Sequence, residues 1–450
     1  MALLTNAPRG TQDRLPKDSY KFRFIETVAL ETAALFGFKE LETPTFEHTE
    51  LFARSVGDTT DVVQKEMYTF QDKGGRSVTL KPEGTSGAVR ASIQNGLLGD
   101  ALPLKVCYST SCFRYEKPQA GRLREFHQFG VEMFGSKSPA ADADVIMLAR
   151  EIFEVLGIKG LELKINSIGC PECRAEYHKA LKAYFEGRKD DLCETCKSRL
   201  ETNPMRILDC KCPSCKEIGK DAPVVLDYLC DECAEHFEGV KHRLDAMNVK
   251  YTVNPKIVRG LDYYTKTVFE FVSTAIGAQG TVCGGGRYDG LVGHMGGQKM
   301  PGLGFGMGFE RIMLVMESMN IDFPVPRECE LYIASVGDEA NIKAGSLVNS
   351  LREEGFYAEY DAVGRSVKAQ MKYADKINAA FSMVLGDTEL ESKRAKLKNM
   401  QTGETQEIDF ENDLVNILYS AGIERATGEL EGQTEDILSA VRALNEMGEN

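Results

Sequence analysis

Apolar residues recur at three- and four-residue spacing through FRFIETVALETAALFGF (22–38) and ADADVIMLAREIFEVLGI (141–158), which predicts two amphipathic helices. Gly37 breaks the first of them. Between the two the period changes. LKVCYSTSCFRY (104–115) and REFHQFGVEMFG (124–135) read as strands around the polar stretch EKPQAGRL, a hairpin with a long tip. Another helical pattern runs through LDYLCDECAEHFEGVKHRLDAM (226–247). From about residue 251 strands and glycines return, through TVCGGG and GLGFG, with a helix predicted after Phe309. Pro324 and Pro326 mark a linker, and beyond it strand and helix patterns alternate as in a small α/β domain.

Composition places these elements in several domains. At 450 residues the chain is too long for one compact core. Its 42% hydrophobic and 27% charged residues are ordinary for a globular protein. No apolar run is long enough to span a membrane, and MALLTNAPRGTQDRLP has no signal-peptide pattern, so the cytoplasm is the expected location. The formal charge of −14 argues against a generic nucleic-acid binder. That charge is uneven: residues 404–450 hold 12 acids and two bases, a net −10, and the rest of the chain totals −4. Bases bunch at Arg365–Lys376 and Lys393–Lys398, where local patches can face a polyanion.

The cysteines change the picture further. Nine of 13 lie between Cys170 and Cys233, and eight of them form CxxC pairs: Cys170/Cys173, Cys193/Cys196, Cys212/Cys215 and Cys230/Cys233. In a reducing compartment such pairs favour metal or redox chemistry over disulfides. They can fill two four-thiolate zinc sites, or one with four thiols spare, or remain reduced thiols. The spacing does not choose the pairing.

Three other segments carry candidate chemistry. On the strand 124–135, Arg124, Phe126, Gln128 and Glu132 share one face, with a gap at Gly130. This is either a small-molecule floor or a solvated face. His127, Phe129, Val131 and Met133 form the opposite face, and packing is the expected role of His127. Arg114 on the facing strand suits phosphate or carboxylate. In PGLGFGMGFERI, Gly302, Gly304, Gly306 and Gly308 alternate with apolar residues. One face of that strand is bare backbone, open to a ligand or to tight packing. Arg311 follows near a helix start, where an anion is favoured. IVRGLDYYTKTVFEF adds Arg259 and two adjacent tyrosines. GGGRYDG lacks the full dinucleotide-binding spacing, and there is no P-loop.

Together these segments resemble the class II aminoacyl-tRNA synthetases, and within them the histidyl-tRNA synthetase family, over nearly the whole chain. FRYEKPQAGRLREFHQFGVEMFG is similar to motif 2, GLGFGMGFERI to motif 3 and LETPTFEHTELF to motif 1. LKPEGT (80–85), VRGLDYY (258–264) and GGGRYDGL (284–291) resemble segments peculiar to the histidine family. The resemblance implies an α+β fold. An antiparallel sheet flanked by helices would occupy 1–169 and 241–325, with a cysteine-rich helical insertion at 170–240. An anticodon-binding α/β domain would follow at 328–423 and an acidic helical tail at 424–450. It also implies histidine, ATP with Mg²⁺ and a histidine-specific tRNA as ligands, and a homodimer.

Its site roles fall on residues of this chain. Glu83, Gly84, Thr85 and Gln128 would take the amino end of histidine, and Glu132, Tyr263 and Tyr264 its imidazole. Arg114, Glu116, Arg122, Phe126 and Arg311 would take ATP, with Phe126 under adenine. Arg259, with Arg114, would be catalytic, close to the histidine carboxylate and the α-phosphate. NPMRILD (203–209) resembles a motif of the family's insertion. Two rivals stand beside this reading. One is a non-catalytic, histidine-sensing regulatory paralogue associated with ATP phosphoribosyltransferase, which usually lacks the C-terminal domain. The other is a zinc-dependent nucleic-acid module at 170–233, disfavoured by 11 bases against 13 acids there.

Overall fold

The computed structural model describes residues 5–424 and 427, except 58, 59, 209, 258 and 277–279. They divide into two compact units, Met1–Pro324 and Val325–Asn450. The acidic tail, apart from Glu424 and Thr427, lies outside the described residues.

The first unit is built on an eight-stranded sheet. Its order is Lys39–Glu40, Leu104–Phe113, Glu125–Phe134, Gly302–Gly308, Thr281–Arg287, Thr265–Val272, Glu162–Ser167 and Thr252–Val253. Only the outermost pairing at each end is parallel. The predicted hairpin is there, in register from Leu104↔Phe134 to Phe113↔Glu125. Alternation sends Phe129, Val131 and Met133 to one face, where they are buried with Leu303, Phe305, Met307, Phe269 and Phe271. Helices Pro16–Leu35, Pro139–Val155, Asp231–Ala246 and Phe309–Ser318 cover that face. Gly37, at φ +81°, ends the first of them, as its position in the sequence requires.

The insertion is helical: Pro171–Glu186, Glu194–Thr202 and Pro213–Ile218 precede Asp231–Ala246. Tyr177, Leu181, Phe185, Leu200 and Ile207 form its core. The last helix starts at Asp231, later than the sequence pattern suggests, because Cys230 is its N-cap residue in extended conformation. The second unit has a five-stranded sheet, ordered Ala358–Tyr360, Leu331–Ser335, Phe381–Leu385, Arg394–Asn399 and Thr405–Asp409. The first three strands are parallel, joined through helices as βαβ units require, and the last two are antiparallel.

One buried ion pair ties the first unit together. Arg287, fully buried at the end of strand 281–287, donates Nη2 and Nε to the Asp142 carboxylate at 2.7–3.0 Å. Asp142 lies in the first turn of helix Pro139–Val155, and His236 of the insertion's last helix reaches the same carboxylate at 3.2 Å. Arg287 Nη1 and Nη2 also donate to the carbonyls of Ser136 and Ser138. Removing one partner strands the other charge out of water. Asp142→Ala is therefore expected to lower unfolding free energy by about 3–5 kcal/mol, measured by denaturant titration; a loss below about 1 kcal/mol would show the pair to be dispensable.

Candidate active site

The sheet's other face carries a cavity of about 540 Å³. Strand 125–134 supplies Phe126 and Gln128, strand 302–308 supplies Gly306 and Gly308, and strand 281–287 supplies Thr281 and Gly284. Glu83 and Thr85 enter at the start of helix Thr85–Gln94, and Arg259, Tyr263 and Tyr264 from the segment before strand 265–272. Arg114, Glu116, Arg122 and Arg311 add to the polar lining, as do Lys211, Lys256, Glu270 and Glu310. Gly84 is buried next to it, donating its N–H to Gln128 Oε1 at 3.1 Å.

The bare glycine face is occupied by the protein's own side chains. A Cβ at Gly304 would strike Glu132, at Gly306 Gln128, at Gly302 Tyr288 and at Gly284 the Arg259 guanidinium. Gly308 alone of the four alternating glycines has nothing over it within 4 Å. The glycines thus let large polar groups lie flat on a buried sheet, which neither a free ligand groove nor plain strand–helix packing describes.

One end of the cavity is acidic. Glu83 accepts from the backbone N–H groups of Thr85 and Ser86, at 2.8 Å each, and from the Ser86 hydroxyl. Glu132 is fully buried below this end and takes hydrogen bonds from Tyr108 and Tyr288. Burial pushes its carboxyl up to about 8, against the opposing pull of those donors. Glu132 and Tyr264 hold separate partners, since the Tyr264 hydroxyl accepts from Arg259 Nη2 at 3.3 Å. The Tyr263 ring lies between them, 4.6 Å from Tyr264 and 5.5 Å from Tyr288.

The other end is basic. Arg114 donates to the Pro82 carbonyl at 2.8 Å and lies 5.4 Å from the Phe126 ring. Arg122 pairs with Glu116 at 2.6 Å, and Arg311 donates to the carbonyls of Gly121 and Thr281. Burial, with the Arg122 and Arg114 cations close by, lowers the Arg311 pKa. Between the ends, Arg259 donates to Glu270 Oε1 at 2.9 Å, while its buried Nε has no hydrogen-bond partner. Burial opposes the Arg259 charge, but the Tyr264 phenol and the Glu270 carboxylate outweigh it, and the pKa is raised.

Histidyl-tRNA synthetase is the family whose model matches residues 10–181 and 216–312, and an anticodon binding domain model matches 330–418. The histidine–tRNA ligase of Clostridium novyi is 58% identical over 406 residues, 90% of this chain and 97% of that protein. The chain belongs to the histidyl-tRNA synthetase family. The histidine–tRNA ligase of Caldanaerobacter subterraneus is 57% identical over the same shares of both chains. The crystal structure of apo histidyl-tRNA synthetase from S. aureus superposes with a TM-score of 0.79 at 40% identity, covering 92% of this chain and all of that one. The structure of an ATP phosphoribosyltransferase regulatory subunit/histidyl-tRNA synthetase from Bacillus halodurans, 22% identical with a TM-score of 0.60, shares the fold.

The family model's two matched segments leave residues 182–215 between them. That stretch holds four of the cysteines that the structure gathers. One cluster is Cys170, Cys173, Cys230 and Cys233; the other is Cys193, Cys196, Cys210 and Cys215, with the sulfurs of each within 4.8 Å of one another. Cys212, paired with Cys215 on spacing, is not in the second cluster. It caps helix Pro213–Ile218, and its sulfur sits 3.3 Å from Ser214 Oγ while its backbone N–H donates to Cys210 Sγ. The turn at 210–213 sends Cys210 inward in its place. In tetrahedral coordination at about 2.3 Å per Zn–S bond, sulfurs stand ~3.8 Å apart. Cys170–Cys173 at 3.5 Å and Cys193–Cys210 at 3.8 Å are close to this edge and far too long for a disulfide.

Several site residues escaped the sequence reading. Tyr108 pairs in register with Gly130 and fills the gap that glycine leaves, a neighbour that hairpin register alone could have given. Tyr288 stood unremarked within GGGRYDG, and Glu270 shares a strand with apolar neighbours. His127 is not a packing residue: Nδ1 lies 2.9 Å from Glu310 and Nε2 2.9 Å from Ser111 Oγ.

The Glu132 carboxyl gives a pH test. Folded, it holds its proton up to about pH 8, whereas the unfolded chain releases it near 4.5. Its contribution to stability therefore falls as pH rises through that window. Relative to wild type, Glu132→Gln is expected to gain at least about 1.4 kcal/mol of unfolding free energy between pH 5 and pH 8. A difference that stays constant with pH would contradict the assignment.

Proposed function

We propose that this protein is a histidine–tRNA ligase, joining histidine to ATP as histidyl-adenylate and passing the histidyl group to its tRNA. The observation that carries this is Arg259: a cation with an unpartnered Nε, lining one cavity with an acidic end and a basic end. Glu83, Thr85 and Gln128 receive the amino group of histidine, and Gly84 holds Gln128 in place. Glu132, through Tyr108 and Tyr288, and the Tyr263–Tyr264 pair form the imidazole end. Buried polar groups that an analogue would leave unpaired discriminate strongly against it.

ATP lies toward Arg114, Glu116, Arg122 and Arg311, with adenine against Phe126 and Mg²⁺ accompanying the phosphates. The histidine carboxylate attacks the α-phosphorus and pyrophosphate leaves. Carboxylate is already a competent nucleophile, so the protein's task is to align the two and stabilise the charge gathering on phosphorus. Glu270 and the Tyr264 hydroxyl keep the Arg259 guanidinium charged and fixed, and its Nε–H remains for the substrates. In the second step the ribose hydroxyl at the tRNA 3′ end displaces AMP from the adenylate. The tRNA is read by the 330–418 domain, whose family model is an anticodon binding domain. That domain, and the closeness of the curated ligases, disfavour the regulatory paralogue.

The same reading places the protein in the cytoplasm as a homodimer, through the segment around Pro44, where Phe46 is 55% exposed beside Phe70 at 48%. The two cysteine clusters each hold one structural zinc.

Arg259→Ala is expected to depress histidine-dependent ATP–pyrophosphate exchange by about 10²-fold or more, with histidine affinity changing far less. Normal exchange in this variant would overturn the role of Arg259, and exchange driven by another amino acid would overturn the choice of histidine.

A further inference from the structure

We infer that the two metal clusters are supports for the segment 259–264, and that zinc in them sets histidine affinity while leaving ATP affinity alone. The inference rests on the ligase reading and on zinc in the clusters, and adds what the metal does.

Seven of the eight cluster cysteines sit at helix starts, and Cys210 comes from the stretch before one. Cys170 and Cys230 are the N-cap residues of helices Pro171–Glu186 and Asp231–Ala246, and Cys173 and Cys233 lie within their first turns. Cys193 caps helix Glu194–Thr202 and Cys196 lies in its first turn. Backbone N–H groups already point at the sulfurs: Cys230 N–H donates to Cys173 Sγ at 3.1 Å and Cys193 N–H to Cys215 Sγ at 3.3 Å. Such donors stabilise thiolate and orient it toward a cation. Eight convergent sulfurs in two groups are a costly arrangement without a cation to neutralise them, and a tetrathiolate site fits zinc.

Each cluster anchors one arginine that grips the histidine segment. Arg174 is one turn into the helix that Cys170 caps, and its Nη1 donates to the Tyr264 carbonyl at 3.1 Å. Arg206 lies in the stretch that the second cluster closes between Cys196 and Cys210. Its Nη2 donates to the Gly260 carbonyl at 3.1 Å and to Asp262 Oδ1 at 3.2 Å. Arg199, from the same stretch, braces it by donating to the Arg206 carbonyl at 3.1 Å. The two grips fall on Gly260 and Tyr264, just beyond Arg259 and at the far end of the segment.

Energetics decide why metal is needed at the second cluster. Helices Glu194–Thr202 and Pro213–Ile218 have nine and six residues, too short to persist on propensity. A four-thiolate zinc would link both to Cys210, whose N–H donates to the Ile207 carbonyl at the end of Pro204–Ile207, and metal binding there is folding free energy. Without it Arg206 has no fixed base from which to hold Gly260, and Tyr263 and Tyr264 lose their placement. The ATP end is untouched, because Arg114, Arg122 and Arg311 are held by carbonyls and Glu116 within the catalytic part of the chain.

Full-length protein, purified without chelator, is assayed for zinc by mass spectrometry and for histidine binding by calorimetry without ATP. Histidine and ATP KM come from pyrophosphate exchange. Wild type is expected to carry about two zinc ions per chain, one for each four-thiolate set. Cys196→Ser should retain about one, and Arg206→Ala about two. Both variants should weaken histidine binding by about tenfold, the cost of a charged hydrogen bond, with ATP KM within about twofold. If Cys196→Ser does not fold, Arg206→Ala carries the same histidine measurement. Less than about one zinc per wild-type chain would overturn the metal sites. Zinc present but histidine affinity unchanged in Arg206→Ala would overturn the support role alone. Wild type without any histidine-dependent exchange would overturn the ligase reading instead.

Discussion

The buried Arg287–Asp142 pair is the constraint on which the catalytic sheet depends. It fixes the end of strand 281–287 against helix Pro139–Val155, and through His236 against the last helix of the insertion. A guanidinium in that position survives because Asp142, Asp289 and two carbonyls take its N–H groups. Once Arg287 is set, its neighbours follow. Tyr288 comes to rest over Gly302 with its hydroxyl on Glu132, and Gly285 meets the backbone of Gly304 with no room for a side chain. The acidic end of the cavity is thus located by a charge pair that does not line it.

The rows of glycine then acquire a physical meaning. A strand of alternating glycines is weak by itself, yet strand 302–308 is central, flanked on both sides by antiparallel partners. Its missing side chains leave a shallow trough in which Glu132 and Gln128 lie close to the sheet, and Gly284 of the neighbouring strand does the same for Arg259. Water is excluded from the lowest of these, and the Glu132 carboxyl is pushed up to about 8 as a result. A carboxyl held partly protonated by burial can exchange hydrogen bonds with phenols and with an imidazole, whereas an exposed one could only accept.

Much of this was legible from residues alone, and what was not has a common cause. Periodicity assigned the first helix to its break at Gly37, the hairpin, and the division of strand 125–134 into a core face and a site face. Those depend on one element at a time. The pairing of Glu132 with Tyr108 and Tyr288, the contacts of His127 with Glu310 and of Arg259 with Glu270, and the choice of Cys210 over Cys212 depend on two or three elements meeting. Spacing put Cys212 in a CxxC unit. The turn that brings Cys210 inward is set by the cap of a six-residue helix, a feature too local for periodicity and too irregular for a motif. The segments that resembled the family were informative because they had already solved that packing problem.

Electrostatics show the same difference between whole and part. The chain's −14 is concentrated in its last residues, and the cavity has the opposite balance. Arg114, Arg122, Arg259, Arg311, Lys211 and Lys256 face Glu83, Glu116, Glu270 and Glu310, six cations to four carboxylates. Where the cations are densest, burial and the Arg122 and Arg114 charges lower the Arg311 pKa against the opposing pull of Glu116 and Glu270. Repulsion among fixed guanidinium groups, with desolvation added, raises the free energy of the empty site. An anion placed between them would offset the repulsion. At physiological ionic strength the Debye length is about 8 Å, so the acidic tail's charge is screened unless it comes that close, while the arginines act at contact range. The local potential is set by the placement of four arginines around the cavity and not by the net charge, so an acidic chain can bind ATP and tRNA without contradiction.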